Sequence, residues 1–580
     1  MALNSDQKKF IKKNWETLSL EEMAADLSLP KKTILKYLKN HLPEKKFRNL
    51  FSNNPTTKDT PLSKTNDGFE LKTFLLENIN YFILFFVLIF ISYLNSFDNA
   101  FVSDDILGTQ KNAALSDWSY LRYLASWSFL PHFILVKFGL IAPFYFRAVN
   151  IFFHLGSTCL IFIILTLLAK NKPLALFTAL LFAVHPILTE SISWISARPY
   201  GQYAFFFLAS FLLYLLSFQS IKNSKKLLVY SGTLFFFALV SSEKAVALFA
   251  IFPLYELAFG NLKKNWKKFL PFLIASVIFT SIYLTRTSQR FSDLNTQYYA
   301  DASGLYNPLV QIPVAISSYL GLIFWPQGLT LYHTELTFNT IGYLACLSVF
   351  LLFSGLAYYG WKKNRFVFFW LSFFFISLTP TLTPLKVSWI VAERYAYIGT
   401  LGILATFAYF FTWLWEKFPQ KKVWLSAIFA LIILALSIRT IVRNIDWDNE
   451  DNLWISTGKT SPSGHVIYNN LGDVYARRKD YDRAILEFKR ATEINPRYAD
   501  AYHNLANTYQ AMGKIDEAIA GYQKALELNP ALWQSAQNLA SIYFTRGEFG
   551  KAHEAIKKAV EISPTDQNLQ ANLKLIESKL

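Results

Sequence analysis

Long apolar runs alternate with short polar loops from about residue 78 to residue 441, and polar sequence flanks this region on both sides. The first 75 or so residues are polar and basic, and the chain is polar and helical again from about residue 445. A run of about 20 apolar residues is long enough to cross the hydrocarbon core of a bilayer as a helix. The pattern therefore predicts a polytopic membrane region between two polar regions.

Eleven of the apolar runs are candidate membrane spans. They are 79–95, 143–168, 173–189, 199–218, 226–241, 244–259, 268–285, 340–361, 365–381, 390–415 and 422–441. A further run, 308–325, is interrupted by Pro308 and Pro313. We interpret it as re-entrant or as lying at the outer surface, because a crossing there would move the basic loop that follows residue 361 to the other side.

Lysine and arginine cluster in five short loops between the runs. These clusters are Lys170/Lys172, Lys222/Lys225/Lys226, Lys263/Lys264/Lys267/Lys268, Lys362/Lys363/Arg365 and Lys417/Lys421/Lys422. Positively charged short loops stay on the cytoplasmic side. The prediction is a multi-pass protein of the inner, cytoplasmic membrane, with its N-terminus in the cytoplasm and its C-terminal region outside.

The net charge of +17 first indicates nucleic-acid binding, but the membrane gives a better account of it. The mean hydropathy of +0.25 and the 53% of hydrophobic residues are too high for an ordinary soluble protein of this length. Lysine and arginine cluster in the short loops between the apolar runs, so the expected partner is the lipid bilayer and not a nucleic acid. Cys159 and Cys346 both fall inside apolar runs and are interpreted as core thiols.

The C-terminal region repeats with a period of 34 residues, marked by Pro462, Pro496, Pro530 and Pro564. Small and aromatic residues recur at fixed offsets between these prolines, which is the pattern of the tetratricopeptide repeat (TPR). Three such units predict an α-solenoid over residues 465–580 with a concave groove.

Three asparagines, Asn504, Asn507 and Asn538, are predicted to be exposed at repeat positions that commonly line the groove. Their amides can pair with the backbone of an extended peptide, so we interpret the groove as a binding site for a segment of another protein. The alternative is that the repeats only stabilise or oligomerise the protein.

The N-terminal region contains a segment, 20–38, that resembles a helix-turn-helix with a Ser-Leu-Pro turn. Three of its residues are predicted to face inward and four to suit phosphates: Ile34, Leu35 and Leu38, and Lys31, Lys32, Lys36 and Lys39. We favour a small cytoplasmic helical module that binds a protein or nothing, since DNA binding is unusual for a membrane enzyme. The predicted organisation is a module at 1–50, a linker at 51–77 with disorder over Asn53–Asp67, a membrane domain at 78–441, a connector at 442–464 and the TPR domain at 465–580.

Two adjacent carboxylates, Asp104 and Asp105, follow the first apolar run in a predicted external loop. Such a pair offers a general base, or a site for a divalent cation such as Mg²⁺ or Mn²⁺. The other reading is a solvated acidic loop. The sequence leaves the metal open.

The remaining charged clusters that are not simple basic loops also fall on the predicted outer face. The candidate ligands of a donor phosphate are Arg394, Arg198, Arg286 and Lys244, and the supporting positions are His185, Glu190, Glu243 and Glu393. A guanidinium binds phosphate in a bidentate manner, whereas lysine adds a point charge. For each residue alone, snorkelling or a structural ion pair is the alternative.

These clusters carry a resemblance to a known family. The motifs are Phe101–Asp105, Arg147–His154, His185-Pro186…Glu190…Arg198, Ser242–Lys244, Asn307-Pro308, Trp325-Pro326…Leu329…Tyr332, Glu393–Tyr397 and Arg443…Asp446-Trp447. In this order, and with the TPR tail, residues from about 75 to 580 resemble the transmembrane-and-TPR O-mannosyltransferases (the TMTC family of the GT-C glycosyltransferase superfamily) and their bacterial relatives. The N-terminal module and the short TPR array depart from the family pattern.

The resemblance implies an all-α, GT-C-like membrane protein with about eleven spans, followed by the TPR α-solenoid. It implies transfer of a sugar, with inversion, from a polyprenyl phosphate to a hydroxyl of an extracytoplasmic protein. One of Asp104 and Asp105 is then the base, and Arg394 takes the carrier phosphate, while the second carboxylate orients the acceptor or holds a divalent cation. Two other functions stay open: a GT-C transferase that modifies an envelope glycan or lipid, and a non-catalytic membrane TPR scaffold.

Overall fold

A computed structural model describes most of the chain in two compact units, Met1–Thr60 and Pro61–Leu580. The described residues are 5–14, scattered positions between 23 and 41, 69–122, 124–219, 223–294, 307–334, 336, 339–382 and 389–580. The predicted disordered linker at 53–67 lies outside them.

The first unit begins with the helix Ser5–Asn14. Ile11, Met23, Ile34 and Leu38 are buried together in a small apolar cluster. The burial of Ile34 and Leu38 agrees with the inward positions predicted for them. Leu35 and the four lysines Lys31, Lys32, Lys36 and Lys39 lie outside the described residues.

In its described part, the second unit is built entirely of helices and connecting turns. The α-helices before the repeats are Leu71–Glu77, Ile79–Tyr93, Leu130–Lys137, Pro143–Ala169, Lys172–Val184, Thr189–Ser193, Arg198–Gln219, Ser224–Ser241, Ile251–Ala258, Leu262–Leu294, Pro308–Phe324, Thr340–Lys363, Arg365–Leu378, Thr400–Lys417 and Lys422–Ile445. The predicted all-α class with a polytopic membrane region is thereby confirmed.

Six described helical segments are long and apolar enough to cross a membrane by length and composition, or seven if one bent pair counts as a span. The six are Ile79–Ser96, Pro143–Ala169, Ile195–Gln219, Leu262–Thr285, Thr340–Lys363 and Pro419–Ile445. Pro308–Phe324 and Arg365–Thr381 are shorter apolar helices. The number of eleven spans therefore stays a prediction.

Several predicted spans are shorter because their helices break near the charged clusters. Lys172–Val184 ends at His185, and the following segment Pro186–Ser193 is bent away from it by 52°. Pro186 has no backbone N–H and cannot continue the helix. Irregular backbone at such depth is tolerated only where protein surrounds it, and every residue from His185 to Ile195 is buried.

Four of the basic loops contact each other or their immediate neighbours in two pairs. Asn171, in the loop of Lys170 and Lys172, donates to Glu416 at 2.7 Å, next to the loop that begins at Lys417. Lys268 lies 3.6 Å above the ring of Phe218, which precedes the loop of Lys225. The side of the membrane on which these loops lie stays a prediction.

The repeats form three helix pairs and a final helix. After the first connector helix, Glu450–Thr460, these are His465–Arg477 with Tyr481–Ile494, Ala499–Ala511 with Ile515–Leu528, Trp533–Thr545 with Phe549–Ile562, and Gln567–Glu577. The first pair packs closely at Gly472, where a Cβ atom would lie 2.6 Å from the ring of Phe488. The repeats contact the membrane region through Ser461, whose hydroxyl forms a hydrogen bond with the hydroxyl of Thr330.

Candidate active site

The first element of the site is the loop that carries Asp104 and Asp105. Ser103 adopts a positive φ of 53°, which turns the chain immediately before the two carboxylates. The turn separates their environments, because Asp104 is exposed whereas Asp105 has an exposed fraction of 0%.

Asp105 fastens this loop to the rest of the bundle. Its Oδ1 accepts hydrogen bonds from the backbone N–H of Ser196 at 2.7 Å and from the hydroxyl of Ser196, and its Oδ2 accepts from the N–H of Val102 at 3.3 Å. Burial raises the pKa of Asp105 to about 6, and the hydrogen bonds from Ser196 oppose that rise. A carboxylate whose two oxygens are occupied in this way acts as a structural anchor.

Asp104 has no hydrogen bond or ion pair with any residue that the structure describes. Protein around the carboxyl displaces water and raises the pKa of Asp104, while the positive charge of Arg394 opposes the rise. Arg394 therefore lies close enough to act on Asp104 electrostatically. Of the two carboxylates, Asp104 is the one that is free to meet a substrate.

Arg394 is held by Glu190, which is completely buried. One oxygen of Glu190 accepts from the backbone N–H of Arg394 at 2.8 Å, and the other accepts from Nη1 of its guanidinium. The Arg394 side chain is 11% exposed and makes no hydrogen bond from Nε or Nη2 to the described residues. The guanidinium is thus fixed at one edge and open at the other.

Lys244 adds a second cation beside Arg394. Its Nζ lies 4.9 Å from the ring centroid of Tyr395 and 5.4 Å from that of Tyr200, and it forms an ion pair with Glu243 at 3.1 Å. The guanidinium of Arg394 lies 5.1 Å from the same Tyr395 ring. Two cations from distant parts of the sequence therefore share one aromatic ring.

Glu393 belongs to a separate buried network. It accepts from Arg443 at 3.1 Å and from the backbone N–H of Thr330, and Arg443 also pairs with Asp446 at 2.7 Å. This network joins the end of the helix Lys422–Ile445 to the segment after Trp325.

Two other predicted phosphate ligands have different surroundings. Arg198 is 2% exposed, lies 4.3 Å from the ring of Phe129 and donates to Nδ1 of His132 at 2.8 Å. Burial and the Arg198 charge hold the pKa of His132 well below its usual range, so the ring is neutral and can accept. Arg198 therefore contacts the segment that precedes Pro143, through Phe129 and His132. Arg286 lies in the helix Leu262–Leu294, and its side chain is outside the described residues.

His185 is buried and ties two helices together. Its Nε2 pairs with the carbonyl of Ile323 at 2.9 Å, and its Nδ1 accepts from the N–H of Ile187 at 3.3 Å. Both ring nitrogens are therefore engaged, and the residue caps the turn that starts at Pro186.

The three asparagines of the predicted groove are half-buried, not exposed as the sequence suggested. Asn504 donates to Asn469 at 3.0 Å, and Asn538 donates to Asn507 at 2.9 Å. Asn507 also accepts from the hydroxyl of Tyr522 at 2.6 Å. The amides of adjacent repeats thus bond to each other, which leaves Oδ1 of Asn504 and Nδ2 of Asn507 without a bond to the described residues.

The chain is similar to known proteins in both of its main regions. Models described as TPR repeat or tetratricopeptide repeat match residues 472–513, 499–532 and 534–566. The human protein named "Protein O-mannosyl-transferase TMTC3" is 25% identical over 440 residues, which cover 68% of this chain and 46% of that protein. Human "Protein O-mannosyl-transferase TMTC1" is 24% identical over 62% of this chain and 46% of its own length. The predicted resemblance is confirmed.

The chain spans about half the length of these curated relatives. Among solved structures, a crystal structure of MamA protein matches 22% of this chain and 69% of its own, with 24% identity and a TM-score of 0.21.

Asp105 is the less available member of the Asp104–Asp105 pair for a metal ion, and the metal stays a prediction. Both oxygens of Asp105 already accept hydrogen bonds from the loop and from Ser196. In the described part of the chain, no three His, Cys, Asp or Glu side chains are grouped so that they could hold a metal ion. No chemical step is therefore assigned to a cation bound by these two carboxylates.

Four residues of the site were missed from the sequence: Ser196, Tyr200, His132 and Glu450. Ser196 and Tyr200 flank Arg198, so closer attention to that short loop would have suggested them. His132 and Glu450 gave no signal in the sequence. His132 contacts Arg198, and Glu450 accepts from the N–H of Ser103, in each case across a long separation along the chain.

Proposed function

We propose that this chain is a membrane glycosyltransferase that moves a sugar from a polyprenyl-phosphate donor to a hydroxyl of an extracytoplasmic protein. By similarity to relatives named O-mannosyl-transferases, the proposed sugar is mannose. The observation that carries the proposal is the carboxylate of Asp104, which has no hydrogen bond to the described residues, within electrostatic range of the Arg394 guanidinium. We propose that the site faces the outside of the cytoplasmic membrane, because its residues fall in loops that alternate along the chain with the basic ones.

Asp104 is the proposed general base. The acceptor hydroxyl oxygen attacks the anomeric carbon, the bond from that carbon to the phosphate oxygen breaks, and Asp104 takes the hydroxyl proton. A base is most effective when its pKa lies near the working pH, and burial moves the pKa of Asp104 in that direction. Attack from the side opposite the phosphate inverts the anomeric carbon, as the family resemblance implies.

Arg394 and Lys244 are the proposed partners of the leaving phosphate. Charge on that phosphate grows as the glycosidic bond breaks, and cations fixed in advance stabilise it without reorganisation. Glu190 holds Arg394 by two hydrogen bonds, so the free edge of the guanidinium is already oriented. Lys244 and Arg394 both contact the ring of Tyr395, so the two positive charges lie close to each other.

The TPR groove is the proposed recruiting surface for the protein acceptor. The free Oδ1 of Asn504 and the free Nδ2 of Asn507 supply one acceptor and one donor to the backbone of an extended peptide. Their own ladder of hydrogen bonds fixes both amides in orientation, which lowers the entropy lost on binding.

The test uses the full-length protein in lipid nanodiscs, with radiolabelled polyprenyl-phosphate mannose and a mixture of envelope proteins. We expect label in protein with the unaltered chain, a loss on the order of 100-fold with Asp104→Asn, and no change with Asp98→Asn. Asp98 is a matched control, since it is an exposed aspartate of the same loop. Label in a glycan or lipid would favour the alternative acceptor, and no transfer at all would favour a scaffold.

A further inference from the structure

The loop of Asp104 is held by the segment that follows the last long helix. The backbone N–H of Ser103 donates to Oε1 of Glu450 at 2.8 Å. The N–H of Ala100 donates to the carbonyl of Asp448 at 2.7 Å. Both partners lie within five residues after Ile445, where the membrane region ends and the connector to the repeats begins.

The bond from Ser103 matters because of the conformation at that residue. Its φ of 53° lies in the left-handed region, which a serine adopts only when the surroundings hold it there. Asp104 follows directly, so the direction of its carboxylate depends on this turn. Glu450 accepts the backbone N–H of Ser103, the residue directly before Asp104.

The other oxygen of Glu450 faces the first repeat. Oε2 lies 3.7 Å from Nη2 of Arg477, which is the last residue of the helix His465–Arg477. Arg477 and Arg478 also pair with the neighbouring Asp451, at 3.4 Å and 2.6 Å. A single carboxylate therefore contacts both the turn before Asp104 and the end of the first repeat helix.

We propose that Glu450 is a positioning residue through which the first TPR helix sets the position of Asp104. The rate of transfer then depends on the placement of the repeat domain that holds the acceptor. This inference rests on the proposed function, since it assumes that Asp104 is the base. It adds a coupling between acceptor recruitment and chemistry.

The strengths of the two contacts suit such a coupling. Glu450 is 26% exposed and its bond to Ser103 is shielded, whereas Arg477 is 48% exposed, so their ion pair is weakened by water and salt. The pair can therefore loosen when the repeats shift, without unfolding either region. A change of about 1 Å in the position of a reacting group is enough to alter a rate by on the order of 100-fold.

The test compares three variants of the full-length protein in nanodiscs. Glu450→Ala removes both contacts, Glu450→Gln keeps an acceptor for Ser103 but loses the charge that faces Arg477, and Arg477→Ala removes only the repeat side. The control is Arg483→Ala, because Arg483 is an exposed arginine whose described partners, Asp480 and the ring of Tyr475, both lie in the same repeat.

We expect Glu450→Ala to lower kcat for donor hydrolysis and for protein transfer by roughly 10- to 100-fold, with the KM for the donor within about twofold. Glu450→Gln and Arg477→Ala should restore hydrolysis but leave transfer severalfold low, and Arg483→Ala should match the unaltered chain. If Glu450→Ala instead changes the KM for the donor and leaves kcat unaltered, the positioning role is wrong.

Hydrogen exchange separates this inference from the proposed function. Glu450→Ala should speed exchange of the amides in residues 100–106, whether or not any sugar is transferred. If the unaltered chain transfers nothing but exchange rises, the proposed function fails and the link stands. Unchanged exchange in Glu450→Ala, or Arg477→Ala with unaltered transfer and hydrolysis, overturns the coupling. If Glu450→Ala does not accumulate, the Glu450→Gln and Arg477→Ala comparison decides.

Discussion

Trp194 and Trp447 stack with their ring centroids 5.6 Å apart and their planes inclined by 20°. The guanidinium of Arg394 lies 5.5 Å from the Trp194 ring, and that of Arg443 lies 5.6 Å from the Trp447 ring. The proposed phosphate ligand and the arginine at the start of the connector are therefore joined through two aromatic rings. This contact places the attachment of the repeats directly beside the proposed active site.

Glu393 and Arg394 are adjacent in the sequence but form ion pairs with different residues. Glu393 pairs with Arg443, whereas Arg394 pairs with Glu190. Both carboxylates are fully buried, and removal of one partner from a buried ion pair costs about 3–5 kcal/mol because the other charge is left uncompensated. Substitutions that keep the charge are thus the informative ones at these positions.

The first prediction concerns the two loop carboxylates. Asp104→Asn should lower transfer on the order of 100-fold or more while the protein stays folded and inserted, because the base is lost. Asp105→Asn should also lower transfer sharply, but through position: its amide NH₂ would face the N–H of Val102, and the loop would shift. Steady-state kinetics and thermal unfolding of both variants check this. Near-normal turnover in both would contradict the assignment.

The second prediction concerns Arg394→Lys. Lysine keeps a positive charge beside Glu190 but cannot bind a phosphate in two places, so the apparent KM for the polyprenyl donor should rise while acceptor affinity stays nearly unchanged. Glu190→Gln is the companion variant, since it weakens the orientation of the guanidinium without removing it. If acceptor binding fell and donor binding did not, Arg394 would belong to the acceptor side or to a structural pair.

Features that depend on neighbouring residues could be predicted from the sequence. The apolar runs and the 34-residue period are local patterns, and they gave the helical class and the repeats. The helix ends were less accurate. Pro186 marks the break at His185 in the sequence itself, but the predicted span 173–189 continued through it.

The roles of individual charged residues depend on distant partners. Asp104 and Asp105 are identical in type and adjacent, and only the contact of Asp105 with Ser196, 91 residues away, distinguishes them. Likewise, the partner of Arg394 is Glu190, at a separation of 204 residues. No pattern in one sequence encodes such pairings, so the anchor and the free carboxylate could be told apart only in the folded chain.

The third prediction concerns the pH dependence of transfer. Asp104 must be deprotonated to accept a proton, and its pKa is raised by burial, so activity should fall as the pH drops, at a higher pH than an ordinary aspartate would give. Arg394→Gln removes the charge that opposes this rise, so the acidic limb of kcat/KM should move to still higher pH. Lys111→Gln, which removes an exposed cation elsewhere in the loop region, should leave it in place. A limb that does not move in Arg394→Gln would argue against Asp104 as the titrating base.

The fourth prediction tests the orientation of the chain. Cysteine in place of Lys557, on the exposed surface of the third repeat, should react with an impermeant thiol reagent in intact spheroplasts, whereas cysteine in place of Lys31 should not. Cys159 and Cys346 are first replaced by serine, so that no other thiol can react with the reagent. Reversed labelling would also move the proposed site to the cytoplasmic face, because the site and the repeats are predicted to share one face.

The last prediction separates the repeats from the chemistry. A chain that ends at residue 464 keeps the helix Glu450–Thr460, the bond from Glu450 to Ser103 and the bond from Ser461 to the carbonyl of Tyr332. Deletion of residues 465–580 should then abolish modification of protein acceptors but spare slow hydrolysis of the donor by water. The hydrolysis needs Asp104, Arg394 and Lys244, with Glu450 holding the loop of Asp104, and no residue of the repeats.

A point variant tests the groove in the intact protein. Asn507→Ala removes the amide that is proposed to donate to an acceptor peptide, so the KM for protein should rise while donor hydrolysis stays unchanged. Gln523→Ala, an exposed amide on the second helix of the same repeat, is the control. If the shortened chain also loses hydrolysis or fails to accumulate, the repeats hold the membrane region together. The proposal that they recruit the acceptor would then be abandoned.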